Sequence, residues 1–221
     1  MLMRQRGVSL MEILISMTLG LFLLLGLTTF MANTLVSDSR TMLMSRLDQE
    51  MRSAMILMVR EVRRSGYWGN PSLALGPWTG AGAGTAYANP FAAVTASGGC
   101  IQFRYDKNHN AIADATEFFG FLRTGTGVIQ MYGGTGVGNC VGGAGWNDLT
   151  DGRNSNVTAL SFSLLPAAPA FASGTSGPNM RVRYVTIQLT AQSRADATIT
   201  QSLKETVKLE NDLFCPAATL C

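Results

Sequence analysis

The chain has 221 residues and a formal net charge of +3, and 47% of its residues are hydrophobic. This length allows one N-terminal helix and one globular domain of about 150 residues. The charge is small, and Lys and Arg are scattered beyond the N-terminal region rather than arranged along one stripe, so we predict no nucleic-acid partner.

The first element is an uncharged apolar stretch at residues 13–32, which follows Arg4, Arg6 and Gly7. A helix of this length rises about 30 Å, the thickness of a bilayer's hydrocarbon core, so the stretch predicts a membrane span. A secretory signal instead has a shorter apolar region with a small-residue cleavage site beyond it. Here the clear small-residue break, Gly7, precedes the apolar stretch, and cleavage there would leave the helix at the mature N-terminus. The arginines before the span predict a cytoplasmic leader and an exported remainder.

Glu12 lies at the start of this span, where a lone carboxylate is costly and therefore a functional candidate. After cleavage at Gly7, the new amine of Val8 would lie four residues before Glu12, on the same helix face. An amine from a neighbouring subunit could pair with Glu12, which predicts a role in assembly and register. The alternative is a plain membrane anchor whose Glu12 side chain reaches the interface.

The segment after the membrane stretch predicts an amphipathic continuation of the helix. From Met44 to Val62 apolar residues recur at steps of three, four and occasionally one, and Gly66 is expected to end the helix. Strands are predicted at residues 101–105, 118–122, 128–132, 157–165, 182–190 and 198–209, and residues 67–99 are expected to form a long surface loop with at most short strands. The predicted fold is α+β, a long N-terminal helix packed on an antiparallel β-sheet.

The cysteines are Cys100, Cys140, Cys215 and Cys221, all within the predicted exported part. An even number of cysteines in an oxidising compartment indicates two disulfides, and four cysteines allow three pairings. We favour Cys100–Cys140 and Cys215–Cys221, because the second pair is close in sequence. No C-x-x-C spacing indicates zinc or a redox site.

Residues 106–117 follow the oxygen-ligand spacing of an EF-hand calcium loop. The ligands at positions one, three, five, seven, nine and twelve would be Asp106, Asn108, Asn110, the carbonyl of Ile112, Asp114 and Glu117. Two features argue against Ca²⁺: position six is Ala111 rather than glycine, and the flanking segments are predicted strands. The alternative is a polar hairpin turn that needs no ion.

A catalytic role finds little support in the residues. His109 is the single histidine and is expected to point into solvent, so a histidine-dependent mechanism has no second residue to support it. The glycine-rich run at residues 133–138 lacks the Lys and Ser/Thr of a phosphate-binding loop. We therefore predict no enzyme and no catalytic residues; a membrane-tethered periplasmic enzyme is the alternative of another class.

The residues Gly7-Val8-Ser9-Leu10-Met11-Glu12 resemble the prepilin peptidase signature of type IV pilin-like proteins, with Val8 where the family most often has Phe. The resemblance implies cleavage after Gly7, N-methylation of Val8 and retention of Glu12. The helix end Arg-x-x-Gly-Tyr-x-Gly, with residues 100–106 and 205–209, is similar to the PilW group of minor pilins. This resemblance implies a type IV pilin-like fold and a minor pilin that helps to initiate pilus assembly and lies near the fibre tip.

The implied organisation has four parts: a leader at 1–7, a transmembrane and assembly helix at 8–32, its amphipathic continuation at 33–66, and a periplasmic β-rich domain at 67–221. The implied partners are other minor pilins and the major pilin through their N-terminal helices, prepilin peptidase, and the inner-membrane assembly machinery. The chain would cross the bacterial inner membrane once and then enter the fibre. The alternatives are a minor pseudopilin of a type II secretion system and a pilus-tip adhesin that binds through loops 67–99 and 133–156.

Overall fold

The computed structural model describes residues 7, 9–69, 89–165, 169–171 and 179–215. The chain divides into two compact units, Met1–Ser45 and Arg46–Cys221. The described part contains one helix, α1 (Leu10–Arg63), and eleven strands. The strands are β1 (Val94–Ser97), β2 (Cys100–Arg104), β3 (Phe118–Arg123), β4 (Ile129–Tyr132), β5 (Trp146–Asp148), β6 (Ser155–Leu165), β7 (Pro169–Phe171), β8 (Asn179–Arg181), β9 (Tyr184–Ser193), β10 (Thr200–Lys208) and β11 (Leu213–Cys215).

In the first unit, α1 begins after Ser9, whose carbonyl accepts the N–H groups of Glu12 and Ile13 at 3.0 and 3.2 Å. Large apolar side chains such as Phe22 are exposed along this part of the helix. By length and composition the helix can cross a membrane, and none of its most apolar 18-residue window is buried. An apolar surface of this kind must be covered by lipid or by other protein.

In the second unit, the helix buries one apolar stripe against the sheets, as the spacing predicts. The buried apolar residues of this stripe are Leu47, Met51, Ala54, Met55, Met58 and Val62. The first residue of the predicted stripe, Met44, is exposed. After Arg63 the chain turns at Gly66, whose φ of 78° is the left-handed conformation that glycine adopts at helix ends. The N–H of Gly66 then bonds to the Arg104 carbonyl at 2.8 Å.

The described strands of the second unit form three antiparallel sheets. Their strand orders are β1-β2-β3-β4-β5, β10-β9-β6 and β11-β8-β7. The six predicted strands correspond to β2, β3, β4, β6, β9 and β10. The described strands that the sequence did not predict, β1, β5, β7, β8 and β11, have only three or four residues each, too few for alternation to be recognised.

The core-facing side of the sheet β10-β9-β6 is apolar and packs against the second half of the helix. In β9, Val185, Ile187 and Leu189 are at most 1% exposed and alternate with polar or exposed positions. Polar contacts also join the helix to the sheets, because Gln201 in β10 donates to Asp48 at 3.1 Å. The predicted α+β class, a long helix packed on antiparallel β-structure, is confirmed.

Candidate functional site

The carboxylate of Glu12 lies in the first turn of α1 and is exposed. It has no ion-pair partner among the described residues, and it lines an open surface depression with Ile13, Ser16 and Met17. The Ser16 hydroxyl bonds to the Glu12 carbonyl rather than to its carboxylate, at 2.7 Å. Gly7 is exposed, whereas Val8 lies outside the described residues. The Glu12 side chain is therefore available to a group on another molecule.

A disulfide joins Cys100 in β2 to Cys140 in the segment between β4 and β5, with an S–S distance of 2.03 Å. This is one of the two bonds favoured from the sequence, whereas the Cys215–Cys221 pair lies outside the described side chains. The sulfur of Cys100 belongs to a small buried cluster on the five-stranded sheet. Its other members are Leu122, Tyr132 and Trp146, with Phe118 packed against it. The disulfide therefore holds the 133–145 segment beside an apolar patch.

Glycines in the run at residues 133–138 lie against the ring of Tyr132, and the run leads to Cys140. A Cβ added to Gly138 would lie 3.0 Å from the Tyr132 ring, and one added to Gly134 would lie 2.7 Å from its hydroxyl oxygen. The Tyr132 hydroxyl donates to the Thr135 carbonyl at 3.2 Å. Glycine is therefore used here for close approach of backbone to an aromatic ring.

The loop at residues 106–117 connects β2 to β3, and its two end carboxylates are buried. Asp106 is 1% exposed and accepts the N–H groups of Gly69, Asn110 and Ala111 at 3.0, 3.2 and 3.0 Å. Glu117 is 0% exposed and accepts N–H groups from within the loop. Buried carboxylates need such donors to replace water. Asp106 and Glu117 therefore organise the loop through its backbone.

The remaining predicted calcium ligands are also close together within this loop. The amide nitrogens of Asn108 and Asn110 donate to one Asp114 oxygen at 2.8 and 2.9 Å. Ala111 has a φ of 63°, the left-handed conformation for which an EF-hand loop uses glycine at position six. No group of three or more His, Cys, Asp or Glu side chains in the described part of the chain is arranged to hold a metal ion. Calcium binding stays a prediction.

The segment that follows the helix docks on this loop. The Tyr67 carbonyl accepts the N–H of Asp106 at 2.9 Å, and the Trp68 indole donates to the Ala111 carbonyl at 3.2 Å. The Tyr67 hydroxyl lies 3.2 Å from Nδ1 of His109, with their rings edge to face. His109 is exposed, as expected, but it also contacts Tyr67. The segment after the helix and the 106–117 loop, which are separate motifs in the sequence, are therefore in direct contact.

A second junction at the helix end was not predicted from the sequence. The Gly66 carbonyl accepts the side-chain amides of Asn89 and Asn211, the latter 145 residues away in the chain. Beside it, the Arg183 guanidinium is 8% exposed and donates to the carbonyls of Ala92 and Asn211. Burial lowers the pKa of Arg183. No local pattern marks these residues, because their partners come from distant segments.

A family model, prepilin peptidase-dependent protein B, matches residues 40–209. No curated protein and no solved structure matches the chain. The matched range begins after the apolar membrane stretch and extends through β10, so it covers the packed half of the helix and most of the described strands. The chain belongs to the family of prepilin peptidase-dependent protein B, and it is thus a pilin-related protein.

Proposed function

We propose that the chain is a minor pilin of a type IV pilus, which helps to initiate pilus assembly and is incorporated in the fibre near its tip. One observation carries this proposal: two separate parts of the chain point to prepilin peptidase. The family match covers residues 40–209, whereas the residues that resemble the cleavage signature are 7–12. Because the two ranges do not overlap, the signature is support in addition to the family match.

The proposed route begins with a chain that crosses the inner membrane once, with its β-rich domain in the periplasm. Prepilin peptidase cleaves after Gly7 and the amine of Val8 is methylated. Glu12 then pairs with the amine of a neighbouring subunit, which removes two unpaired charges from an apolar environment. The exposed carboxylate in the first helical turn suits this role. The role is structural rather than catalytic.

A minor pseudopilin of a type II secretion system is the second candidate, because it would use the same leader, helix and sheets. The Gly66-Tyr67-Trp68-Gly69 junction, which resembles the PilW group, favours the pilus. A pilus-tip adhesin would also be incorporated in the fibre, but it would act through the surface of its loops. The three functions differ in what fails when the chain is removed.

The test is to delete the chain in its own cell and to measure surface pili, secreted enzymes and adhesion in the same cultures. We expect pili to disappear while secretion continues, and a plasmid copy of the chain to restore them. Loss of secretion with normal pili would support the pseudopilin instead. Normal pili with lost adhesion would support the adhesin, and no change in any of the three would contradict an assembly role.

A further inference from the structure

Within the second unit, α1 has a continuous exposed face opposite its buried stripe. The residues of this face recur at alternating steps of three and four: Arg46, Gln49, Ser53, Ile56, Arg60 and Arg63, and all of them are exposed. Steps of three and four keep side chains on one side of a helix and are the spacing at which two helices pack side by side. The face runs for about 25 Å along the helix axis.

The charges of this helix segment are separated between its two sides. All five arginines from Arg46 to Arg64 are exposed, whereas none of the three carboxylates is. Glu50 accepts the N–H of Asp151 at 2.6 Å on the sheet side of the helix, and Glu61 is 3% exposed. Asp48 pairs with Arg52 at 2.6 Å. The solvent-facing side is therefore strongly cationic.

Some of these cations have no counter-charge among the described residues. Arg60 and Arg64 share the buried Glu61 carboxylate, at 2.9 and 3.7 Å. Arg46 and Arg63, at the two ends of the face, form no ion pair with any described residue of the chain. An acidic partner would therefore find two unpaired guanidinium groups about 25 Å apart along one helix.

Ile56 lies at the middle of this face and is 67% exposed. A single exposed isoleucine is ordinary on a protein surface. Here, however, it is flanked by polar and cationic side chains on the same stripe, and an apolar centre with a polar rim is the usual anatomy of a protein interface. The side chain of Ile56 is therefore the natural central contact of the face.

We propose that this face binds a helix of a different pilin-like subunit, one that presents carboxylates on either side of an apolar position. The inference rests on the proposed function and adds the chemistry of the partner. A second copy of this chain does not fit, because its arginines would oppose these arginines, and such like-charge contacts are unfavourable. This face therefore favours contact with a different subunit over contact with a second copy of the same chain.

The first test places the photoreactive residue p-benzoylphenylalanine at position 56 of the full chain in its own cell. Val137, which is 70% exposed and lies outside the helix, is the matched control position. We expect position 56 to crosslink to a helix of another pilus subunit, and mass spectrometry to find Asp or Glu about seven to ten residues on either side of the crosslink, opposite Arg46 and Arg63. A crosslink to a second copy of the chain, to nucleic acid or lipid, or no crosslink at all, would overturn the inference.

The second test reverses charge at the two ends of the face. Arg46→Glu with Arg63→Glu should lower the yield of that crosslink about tenfold, and the neutral pair Arg46→Gln with Arg63→Gln should lower it less. The control, Arg153→Glu with Lys204→Glu, changes the net charge equally at exposed positions elsewhere. Formation of the Cys100–Cys140 disulfide checks that each variant folds. An equal loss in the control would show a general charge effect and overturn the inference.

The deletion strain separates this inference from the proposed function. If deletion removes pili but position 56 never crosslinks to another pilus subunit, the docking face is wrong and the minor-pilin role stands. If deletion leaves pili unchanged, the minor-pilin role fails, whatever position 56 contacts.

Discussion

The Tyr105 hydroxyl donates a hydrogen bond to Glu61 at 3.0 Å, and this contact joins the end of β2 to the core-facing side of the helix. Both residues are 3% exposed. The same carboxylate forms ion pairs with Arg60 and Arg64, whose side chains reach it from the solvent side. The Arg64 guanidinium also lies 4.3 Å from the centre of the Tyr105 ring. A buried acid is thus tolerated because it has both a hydrogen-bond donor and two cations.

Replacing this tyrosine should destabilise the protein in a pH-dependent way. Burial, and then the neighbouring Glu61, raise the pKa of Tyr105. Its folded pKa therefore lies above the unfolded value of about 10, so its stabilisation is present below about pH 10 and is lost as the pH rises further. We expect Tyr105→Phe to lose about 1–3 kcal/mol of unfolding free energy at pH 7 and to fall less steeply above pH 10.

The measurement is the melting temperature of the full chain in detergent, at neutral pH and at several values above pH 10. Tyr184→Phe is the control, because Tyr184 is 38% exposed. Parallel decline of the wild type and the Tyr105→Phe variant with rising pH would show that Tyr105 does not cause the alkaline loss.

Removal of the Cys100–Cys140 disulfide should loosen the 133–145 segment. The bond closes a loop with a sequence separation of 40 residues. Chain entropy gives about 3–4 kcal/mol for such a loop, so we expect the Cys100→Ser, Cys140→Ser variant to melt about 6–15 °C lower. Thermolysin should then cleave near Val137 and Val141, which are exposed. An unchanged melting temperature and an unchanged cleavage pattern would contradict a stabilising role. Adding reductant to the variant then measures any further stabilisation by a bond between Cys215 and Cys221.

A methyl group at Gly69 should disturb the docking of the helix end on the 106–117 loop. A Cβ there would lie 2.7 Å from Nδ1 and 3.0 Å from Cα of His109, and the second atom is backbone that cannot easily move. We expect Gly69→Ala to cost about 1–3 kcal/mol. Gly125→Ala is the control, since a Cβ there meets nothing within 4 Å. Equal melting temperatures for the two variants would mean that the contact is not tight.

Calcium should stabilise the chain if the 106–117 loop binds it. An ion that binds only the folded state adds about 2.7 kcal/mol at 100 times its Kd, or about 5–10 °C in Tm. The substitution Asp114→Asn should remove most of this shift. Asp148→Asn, at an exposed carboxylate outside the loop, should keep it. A titration that leaves the wild-type Tm unchanged would favour a turn closed by its own hydrogen bonds.

Neutralising Glu12 should block assembly without harming the folded domain, because the side chain is exposed and lies in the first unit. We expect Glu12→Gln to accumulate in the membrane and to be about tenfold depleted from sheared pili, the equivalent of losing roughly 1.4 kcal/mol of docking energy. Thr18→Ala, at an exposed position outside the depression that Glu12 lines, is the control. Normal incorporation of the Glu12→Gln subunit would contradict the assembly role.

Local periodicity predicted most of the fold. The long apolar stretch, the stripe from Leu47 to Val62 and six strands could be recognised because each pattern repeats within one element. Helix α1 ends at Arg63, three residues before the Gly66 that was expected to end it, a normal uncertainty where a helix turns into a glycine cap. Most strands of three or four residues escaped recognition, because so few residues seldom establish an alternation.

The candidate site was predicted only in parts. The spacing of residues 106–117 and the residues of the helix end were both recognised, but their contact was not. Asp106 and Gly69 are 37 residues apart, and the hydrogen bond between them depends on the position of the loop that follows β2. The contacts of Arg183 could not be predicted either, because it donates to carbonyls of distant segments that no sequence motif marks.

The sequence by itself determined the elements: a membrane-length helix with Glu12 at its start, an amphipathic continuation, and a set of antiparallel strands. These elements could be predicted because each one depends on the spacing of apolar residues along a single segment. Only the tertiary structure decided which charged side chains of the helix lie towards the sheets and which stay in solvent. Glu50 and Glu61 lie towards the sheets, whereas the arginines stay in solvent, and the helix therefore has a cationic face. The physical reason is that a carboxylate can be buried where it accepts hydrogen bonds, whereas a long arginine side chain can keep its guanidinium group in water.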